Sequence, residues 1–207
     1  MAIYLVRHGQ TDWNIEKRFQ GQTDISLNEN GKQQAESCGR ALACLRFGAV
    51  YASPLGRAVE TAQILAAHTG GAPVTVEPAF IERSFGKIEG LTLPEGEAYL
   101  KAHPEGAGIE SKEATGRRVV EALAQKAALH PGQDILVVSH GSAICCGLLM
   151  ATGGQLAISG YYIPNGGINR LHYGPQGWKV DLFGVAPADF RPDLPEMPFP
   201  PPAKTLA

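Results

Sequence analysis

Short apolar runs separated by segments of helical periodicity constrain the fold of this chain more than any other feature. The runs AIYLV at 2–6 and ILVVS at 135–139 are continuously apolar, which is typical of strands buried on both faces of a parallel sheet. AVYAS at 49–53 and residues 73–77 predict two further strands. Strands that alternate with helices predict an α/β fold with a largely parallel sheet.

Helical patterns fill most of the segments between these strands. Asn28 is the predicted N-cap of a helix that continues to about Phe47. Further helices are predicted over about 56–67, 112–129 and the apolar segment 141–154. Three later strands are predicted near Tyr161–Ile163, Ile168–Tyr173 and Trp178–Phe183.

The chain length of 207 residues indicates one domain, and a change of composition near residue 187 marks its end. We assign residues 1–186 to the domain and residues 187–207 to a proline-rich C-terminal tail. The stretch PDLPEMPFPPP at 192–202 favours polyproline II and cannot form a helix or a central strand. Such a tail is a surface segment, a ligand for a proline-binding module or a lid over the site.

Composition excludes several classes of function. A net charge of −2 argues against nucleic acid or an anionic membrane as a partner, because both attract a basic surface. No apolar run approaches the ~20 residues that span a bilayer, and the first residues do not form a signal peptide. The cysteines have no metal-binding spacing, which favours structural thiols in a reducing cytoplasm.

Polar side chains that could bind a ligand or take part in catalysis follow four of the predicted strands. Arg7 and His8 follow the first strand, Arg57 follows the second, Glu82 lies past the third, and His140 follows ILVVS directly. The carboxyl ends of parallel strands lie at one edge of a sheet, where ligands bind. We therefore expect these five side chains to meet at one site.

This set of residues predicts a phosphate site. Two arginines in a small volume repel each other unless an anion lies between them, and guanidinium forks match phosphate oxygens. The predicted helix that begins at Gly141 adds free N–H groups at its positive end. One histidine would attack phosphorus in line, and a protonated second histidine would stabilise the equatorial oxygens. Glu82 would protonate the leaving group and later deprotonate water.

Other interpretations exist for each residue alone. A single buried histidine is more often structural, and an isolated glutamate is more often solvated. His8, His140 and Glu82 could also form a two-histidine, one-carboxylate metal site. Arg7 and Arg57 argue against that site, because they would repel a dication. We therefore expect no metal and no cofactor.

Five motifs, in the same order as in the family, resemble those of the histidine phosphatase superfamily. They are RHGQTDWN at 7–14, FQGQTDISL at 19–27, SPLGRAVETA at 53–62, IERSFGKIEG at 81–90 and SHG at 139–141. The pattern is closest to the branch of α-ribazole phosphatases and broad-specificity phosphatases. The resemblance implies a phosphoglycerate mutase-like, three-layer α/β/α fold with a mostly parallel sheet.

The resemblance also implies a role for each matching residue. His8 would be the phosphorylated nucleophile and Glu82 the proton donor. Arg7, Arg57 and His140 would complete the phosphate pocket. Asn14 and the backbone N–H of Gly141 would bind the phosphate, and Gln20 and Gly21 would line the pocket.

Two departures from the family pattern bear on specificity. Ile88 stands where many phosphatase members have tryptophan, which we expect to reshape the edge of the pocket. The segment between Glu82 and His140 is short, whereas mutases of this family have a longer, basic insertion there. Arg117 and Arg118 lie in this segment, but their helical pattern predicts an exposed face. These features favour a phosphatase over a mutase.

The predicted function is hydrolysis of a small phosphorylated metabolite through a phosphohistidine, without a metal. Three alternatives remain open: a cofactor-dependent phosphoglycerate mutase, a phosphatase of phosphohistidine proteins, and a non-catalytic binding module that uses the proline-rich tail. Base rates for cytoplasmic enzymes favour a homodimer.

Overall fold

A single six-stranded sheet organises the molecule, and the computed structural model describes residues 1–154, 162–174 and 177–194 of it. The strands lie in the order β3-β2-β4-β1-β5-β6. The first four in sequence are parallel, and β5 and β6 are antiparallel additions beside β1. Their bounds are β1 Ala2–Arg7, β2 Ala49–Ala52, β3 Val74–Val76, β4 Ile135–Ser139, β5 Ile168–Gly174 and β6 Gly177–Val185.

Helices cover both faces of this sheet. They are α1 Asp12–Ile15, α2 Glu29–Leu42, α3 Gly56–His68, α4 Leu93–Ala102, α5 Lys112–Leu129 and α6 Gly141–Ala151, with short 3-10 helices at Pro78–Phe80 and Gly86–Ile88. Tyr4 and Val6 of β1 pack with α2 and α3, whereas Ile3 and Leu5 pack with α5 and α6. Since side chains alternate across a strand, β1 contributes to two separate cores. The expected three-layer α/β/α fold is confirmed.

The pairing of β1 with β4 determines where the functional side chains lie. Arg7 is the partner of Ser139 in this parallel register, and the His8 amide donates to the Ser139 carbonyl at 3.0 Å. The next residue on each strand is a histidine, so His8 and His140 leave the sheet side by side. The amide of Ser53 donates to the Val138 carbonyl at 3.0 Å, which places the end of β2 at the same edge.

Three predicted elements were wrong at their ends or in their type, and one of them is α6, which ends at Ala151 rather than at 154. The helix that begins after Asn28 ends at Leu42 rather than Phe47, and a tight turn follows in which the Leu45 amide donates to the Leu42 carbonyl. Tyr162 and Ile163 are not in a strand, and residue 161 lies outside the described residues. The Ile163 carbonyl accepts from Arg7, and Pro164 has no N–H for a ladder.

Helix α4 was absent from the sequence prediction, although the sequence contains its start signal. Thr92 and Glu95 form a capping box: the Thr92 amide and hydroxyl donate to the Glu95 carboxylate, each at 2.8 Å. The glycines and prolines around this segment concealed a helix of ten residues.

The first part of the proline-rich segment packs on the domain. Phe190 is buried, and the Arg170 guanidinium donates to the carbonyls of Pro192 and Leu194 at 2.9 and 3.0 Å. Polyproline II was predicted for residues 192–202, but residues 192–193 form a turn in which the Leu194 amide donates to the Arg191 carbonyl at 3.1 Å. Residues 195–207 lie outside the described residues. In the described part of the chain, no helix is both long and apolar enough to cross a membrane.

Gly31 tests how closely α2 packs against the segment that follows His8. A Cβ atom at Gly31 would lie 2.1 Å from the Gln10 carbonyl oxygen. Alanine stabilises a free helix by about 1 kcal/mol relative to glycine. We expect the opposite sign for Gly31→Ala, a loss of about 1–3 kcal/mol, because the backbone must move. Denaturant unfolding measures it, with exposed Glu121→Ala as the control. A stabilised Gly31→Ala would contradict this packing.

Candidate active site

A cavity of about 660 Å³ opens at the carboxyl ends of the parallel strands. Eight of the nine predicted site residues line it, and His140 lies directly behind His8, with ring centroids 5.1 Å apart. The eight are Arg7, His8, Asn14, Gln20, Gly21, Arg57, Glu82 and Gly141. The structure therefore brings all nine together.

His8 is held in a defined orientation immediately after β1. Its Nδ1 lies 2.6 Å from the carbonyl oxygen of Gly9. Because a carbonyl only accepts, Nδ1 carries the ring proton, and Nε2 of the neutral ring keeps its lone pair. Burial lowers the pKa of His8 well below its ordinary value, and the charges of Arg57 and Arg7 lower it further. The free site therefore holds an unprotonated ring nitrogen.

His140 is the N-cap residue of α6 and is fully buried. Its Nε2 lies 2.6 Å from the hydroxyl oxygen of Ser53, a residue at the end of β2. Burial, followed by the charge of Arg57, lowers the pKa of His140 well below its ordinary value. The protonated second histidine expected from the sequence is therefore disfavoured in the free site, because burial and the neighbouring positive charges both oppose protonation.

The two arginines are fixed by backbone carbonyls. Arg57 lies in the first turn of α3 and donates to the carbonyls of Thr23 and Gly21, both at 2.8 Å. Arg7 donates to the Ile163 carbonyl at 2.6 Å. Burial lowers the pKa of Arg57 to about 10, so its guanidinium remains charged at neutral pH. Neutral carbonyls orient both groups, and the Asp24 carboxylate also lies 3.8 Å from Nη1 of Arg57.

Glu82 lies at the N-terminus of α6. Its carboxylate accepts from the amides of Arg83 at 2.7 Å, Ser142 at 3.1 Å and Ala143 at 2.7 Å. Burial raises the pKa of Glu82, while these amides and Arg57 partly oppose the rise. The sequence analysis expected the free amides of this helix to face the anion. The structure corrects this for Ser142 and Ala143, whose amides bind the carboxylate instead.

Several buried nitrogen atoms around the pocket lack a hydrogen-bond partner in the described protein. They are Nε of Arg7, Nε of Arg57 and Nδ1 of His140. Buried polar atoms are normally paired, since an unpaired one costs about 1–3 kcal/mol. Three such nitrogens next to two fixed positive charges make this pocket suited to an oxyanion.

Asn14, Gln20 and Gly21 lie in the lining, as predicted. The side-chain Oδ1 of Asn14 accepts from the Thr11 amide and from the side-chain amide of Asn165, a residue that the sequence analysis did not identify. Gly21 has a φ of 53°, which places its carbonyl on Arg57. Asn165 occurs in the turn PNGG, so its turn signal was present but pointed to no function.

Arg118 corrects one expectation from the sequence. Arg117 is exposed, but Arg118 is half-buried and donates to the backbone beneath Glu82. A helical pattern could not reveal this, because the contact depends on where the loop at 79–84 crosses α5. Ile88 also differs from expectation: it is buried in the protein and is not part of the pocket lining.

The lining also includes residues that escaped sequence reasoning because they carry no catalytic signature. Among them are Arg18, Phe19, Phe85, Lys112, Ser142, Leu149 and Tyr162. Among the described residues, no three His, Cys, Asp or Glu side chains cluster in a way that could hold a metal ion. The rival metal site would need the Glu82 carboxylate, whose oxygens already accept three backbone amides.

The fold and the pocket together define a phosphoglycerate mutase-like α/β protein with an anion site at the carboxyl edge of its sheet. Residues 3–186 match the family model of the histidine phosphatase superfamily (branch 1). The chain belongs to the histidine phosphatase superfamily.

Relatives of the chain include both phosphatases and mutases. It is 31% identical to the uncharacterized phosphatase PhoE of Bacillus subtilis, over 89% of this chain and 94% of that protein. It is 34% identical to the probable phosphoglycerate mutase GpmB of Salmonella choleraesuis, over 89% and 93%. A mycobacterial glucosyl-3-phosphoglycerate phosphatase, in complex with VO3, superimposes with a TM-score of 0.80 at 26% identity, over 89% of this chain and 98% of that one.

The lowered pKa of His8 predicts how stability depends on pH. Its contribution is fully present above the unfolded-state pKa of about 6.5 and is lost as the pH falls towards the folded-state value. Acidification from pH 7.5 should reduce the free energy of unfolding, by at most about 1.4 kcal/mol per pH unit for this histidine. Denaturant unfolding at pH 7.5 and 5.5 should show a smaller loss for His8→Asn. An equal loss in both proteins would contradict the neutral, buried His8.

Proposed function

We propose that this protein is a metal-independent phosphatase that hydrolyses a small phosphomonoester through a phosphohistidine at His8. The observation that carries the proposal is the fixed ring of His8. The Gly9 carbonyl holds Nδ1–H at 2.6 Å, so the lone pair of Nε2 is available for attack. The relatives named as phosphatases, and the VO3 complex of one structural neighbour, support the same chemistry.

The first step transfers the phosphoryl group to the enzyme. Nε2 of His8 attacks phosphorus, a P–N bond forms, and the bond from phosphorus to the ester oxygen breaks. Arg7 and Arg57 bind the equatorial oxygens, where transition-state charge accumulates. Because both guanidinium groups are already oriented by carbonyls, they lose little freedom when the substrate binds.

Glu82 supplies the proton that the leaving alkoxide needs. Its raised pKa favours the acid form, and a bound phosphate would raise the pKa further by charge repulsion. In the second step the ionised Glu82 takes a proton from water, whose oxygen attacks phosphorus as the P–N bond breaks. Inorganic phosphate leaves, and both His8 and Glu82 return to their starting states.

His140 contributes once the anion is bound. A phosphate dianion beside its ring offsets the charges of Arg7 and Arg57, which add to the effect of burial in lowering the pKa of His140 in the free site. Its Nδ1 has no other partner in the described protein and becomes a donor to a phosphate oxygen. Loss of one such donor typically reduces the rate about 10²-fold or more.

A phosphatase is favoured over a mutase by the arginines of α5. Arg117 is exposed outside the cavity lining and Arg118 is engaged with backbone carbonyls and Glu110, so Lys112 is the one basic residue of this segment that lines the cavity. Because one relative is named a probable phosphoglycerate mutase, mutase activity is the second candidate function. It predicts that 3-phosphoglycerate is isomerised in the presence of a bisphosphoglycerate primer and keeps its phosphoryl group.

The decisive experiment measures hydrolysis of p-nitrophenyl phosphate in excess EDTA by the wild type and His8→Ala. We expect full activity with EDTA and a loss of more than about 10³-fold in the variant. His103→Ala, outside the pocket, is the control and should retain activity. Acid-labile 32P incorporation into the wild type alone would identify the intermediate. Loss with EDTA, or activity in His8→Ala, would contradict the mechanism.

Three other outcomes separate the remaining functions. Inactivity towards every phosphomonoester, together with mutase turnover of 3-phosphoglycerate, would assign the second function. Activity on a phosphohistidine protein but on no small ester would assign a protein phosphatase. Inactivity in all three assays would leave a binding module.

A further inference from the structure

The loop that carries Glu82 is held by a side chain of α5. The Arg118 guanidinium donates to the carbonyls of Ala79 and Ile81, both at 2.7 Å, and to the Glu82 carbonyl at 3.1 Å. The structure describes all of residues 79–84, and within this segment only Glu82 lines the cavity. One arginine therefore fixes the backbone that leads into the proposed proton donor.

Glu110 engages the rest of the Arg118 guanidinium. Nε and Nη2 of Arg118 donate to the two carboxylate oxygens of Glu110, at 2.9 and 3.0 Å. Hydrogen bonds between charged groups are roughly twice as strong as neutral ones, and the two-point contact fixes their geometry. With the three loop carbonyls, all five N–H groups of the guanidinium are engaged. The hydrogen bond from Arg118 also lowers the pKa of Glu110, so this carboxylate is ionised at neutral pH.

Glu110 also binds the loop on the other side of Glu82. Its carboxylate accepts from the Ser84 amide at 3.2 Å, and its own amide donates to the Ser84 carbonyl at 3.0 Å. Its carbonyl accepts from Nε of Arg83 at 2.7 Å. The loop is thus bound on both sides of Glu82, whereas Arg118 and Glu110 do not line the cavity.

We infer that Arg118, with Glu110, is a positioning residue for proton donation by Glu82. The inference rests on the proposed phosphatase function. Arg118 acts through the backbone and does not touch the phosphate subsite. A loop that shifts by a fraction of an ångström would weaken the hydrogen bonds from the α6 amides to the Glu82 carboxylate and misplace its proton relative to the ester oxygen.

The first test compares leaving groups. Phenyl phosphate needs a proton on its leaving oxygen more than p-nitrophenyl phosphate does. Lysine at position 118 keeps the charge but replaces a planar fork with five donors by one ammonium with three. We expect Arg118→Lys to reduce kcat/KM for phenyl phosphate at least about tenfold more than for p-nitrophenyl phosphate, in the same direction as Glu82→Gln. Arg117→Lys, at an exposed position, is the matched control and should keep the wild-type ratio.

The basic limb of the kcat/KM–pH profile is the second measurement, because Glu82 must be protonated when the ester bond breaks. Burial raises the pKa of Glu82, and the amides of Ser142 and Ala143 oppose this rise. If the loop shifts, these hydrogen bonds weaken, the pKa rises further and the basic limb moves to higher pH. Simple destabilisation would leave the limb at the wild-type pH. Both enzymes are measured on the same substrate, so the titration of the substrate cancels in the comparison.

Glu110→Gln keeps the experiment informative if Arg118→Lys does not fold, because it removes only the charge of the partner. It should change the substrate ratio and the basic limb in the same directions. An unchanged ratio together with an unshifted limb would assign Arg118 a purely structural role. Absence of hydrolysis by the wild type would contradict the phosphatase function itself, and this inference with it.

A separate observation concerns the segment that orients Arg57. The Glu89 carboxylate accepts from the amides of Gln22 at 3.1 Å and Thr23 at 3.0 Å, and from the Thr23 hydroxyl at 2.7 Å. The carbonyls of Gly21 and Thr23, in the same segment, accept from the Arg57 guanidinium. Glu89 thus binds the donors of a short segment whose acceptors hold this arginine.

Close packing and charge support the link between Glu89 and Arg57. A Cβ atom at Gly21 would lie 2.0 Å from Oε1 of Glu89, so the carboxylate lies directly against this glycine. Burial lowers the pKa of Arg57, and the Glu89 carboxylate is among the negative charges that oppose this effect. Glu89 does not line the cavity, so it acts on the phosphate subsite through other residues.

We propose that Glu89 is a positioning residue for Arg57 in the proposed phosphate site. It holds the segment 21–23, and this segment holds the guanidinium. Without the carboxylate, the Gln22 amide and the Thr23 hydroxyl lose this acceptor, and the carbonyls that orient Arg57 can move. The arginine would then bind the equatorial oxygens less tightly.

Inhibition by orthovanadate tests this role, because an oxyanion probe binds without a leaving group. In buffer without a chelator, we expect Glu89→Gln to raise the inhibition constant about tenfold. The constant does not depend on the folded fraction of the enzyme, so simple destabilisation would leave it unchanged. Glu97→Gln, at an exposed position of α4, is the matched control and should keep the wild-type constant.

Thr23→Val serves if Glu89→Gln does not fold, because it removes the hydroxyl donor to Glu89 and keeps the carbonyl on Arg57. It should raise the inhibition constant in the same direction. Glu89 also accepts from the Phe85 amide at 2.9 Å, in the Glu82 loop. A wild-type inhibition constant with a changed ratio of the two substrates would therefore assign Glu89 to that loop and overturn its role for Arg57. Absence of inhibition in the wild type would contradict the phosphate site itself.

Discussion

The parallel register of β1 with β4 is the constraint on which the whole site depends. It pairs Arg7 with Ser139, so each strand ends with a histidine at the same edge of the sheet. Because side chains alternate along a strand, a slip of one residue would move His8 away from His140 and exchange the two cores of β1. The buried apolar residues on both faces of β1 hold this register, so packing far from the pocket determines its geometry.

Burial of like charges is the second organising feature. Two arginines and two histidines lie in one small volume. Burial and the arginine charges keep both histidines neutral, and backbone carbonyls orient the arginines. Glu82 is the one acidic group in the lining, and burial favours its protonated form. The free pocket therefore has excess positive charge, which a phosphate would neutralise. The same charges that destabilise the empty site would bind the substrate.

Much of this could be predicted from sequence because the motifs are local. His8 and His140 follow apolar runs, and Arg57 and Glu82 come a few residues after predicted strands, so the topology of parallel strands places all four at one edge. The strand at 135–139 and the helix at 112–129 have the predicted bounds. Helix α4 was missed because glycine and proline outweighed its capping box, and the predicted strand at 161–163 fails over Tyr162 and Ile163, where Arg7 binds the carbonyl.

The sequence by itself determined the α/β class, the family resemblance and the set of residues proposed for the phosphate site, because these depend on periodicity and short motifs. Tertiary structure decided how the residues are used. Only the fold shows that α6 amides bind Glu82, that Arg118 supports the Glu82 loop, and that Phe19 meets Phe85. These contacts join residues far apart in the chain, and their partners are backbone atoms or apolar rings. No local pattern marks such pairs, so they exist only once the chain has folded.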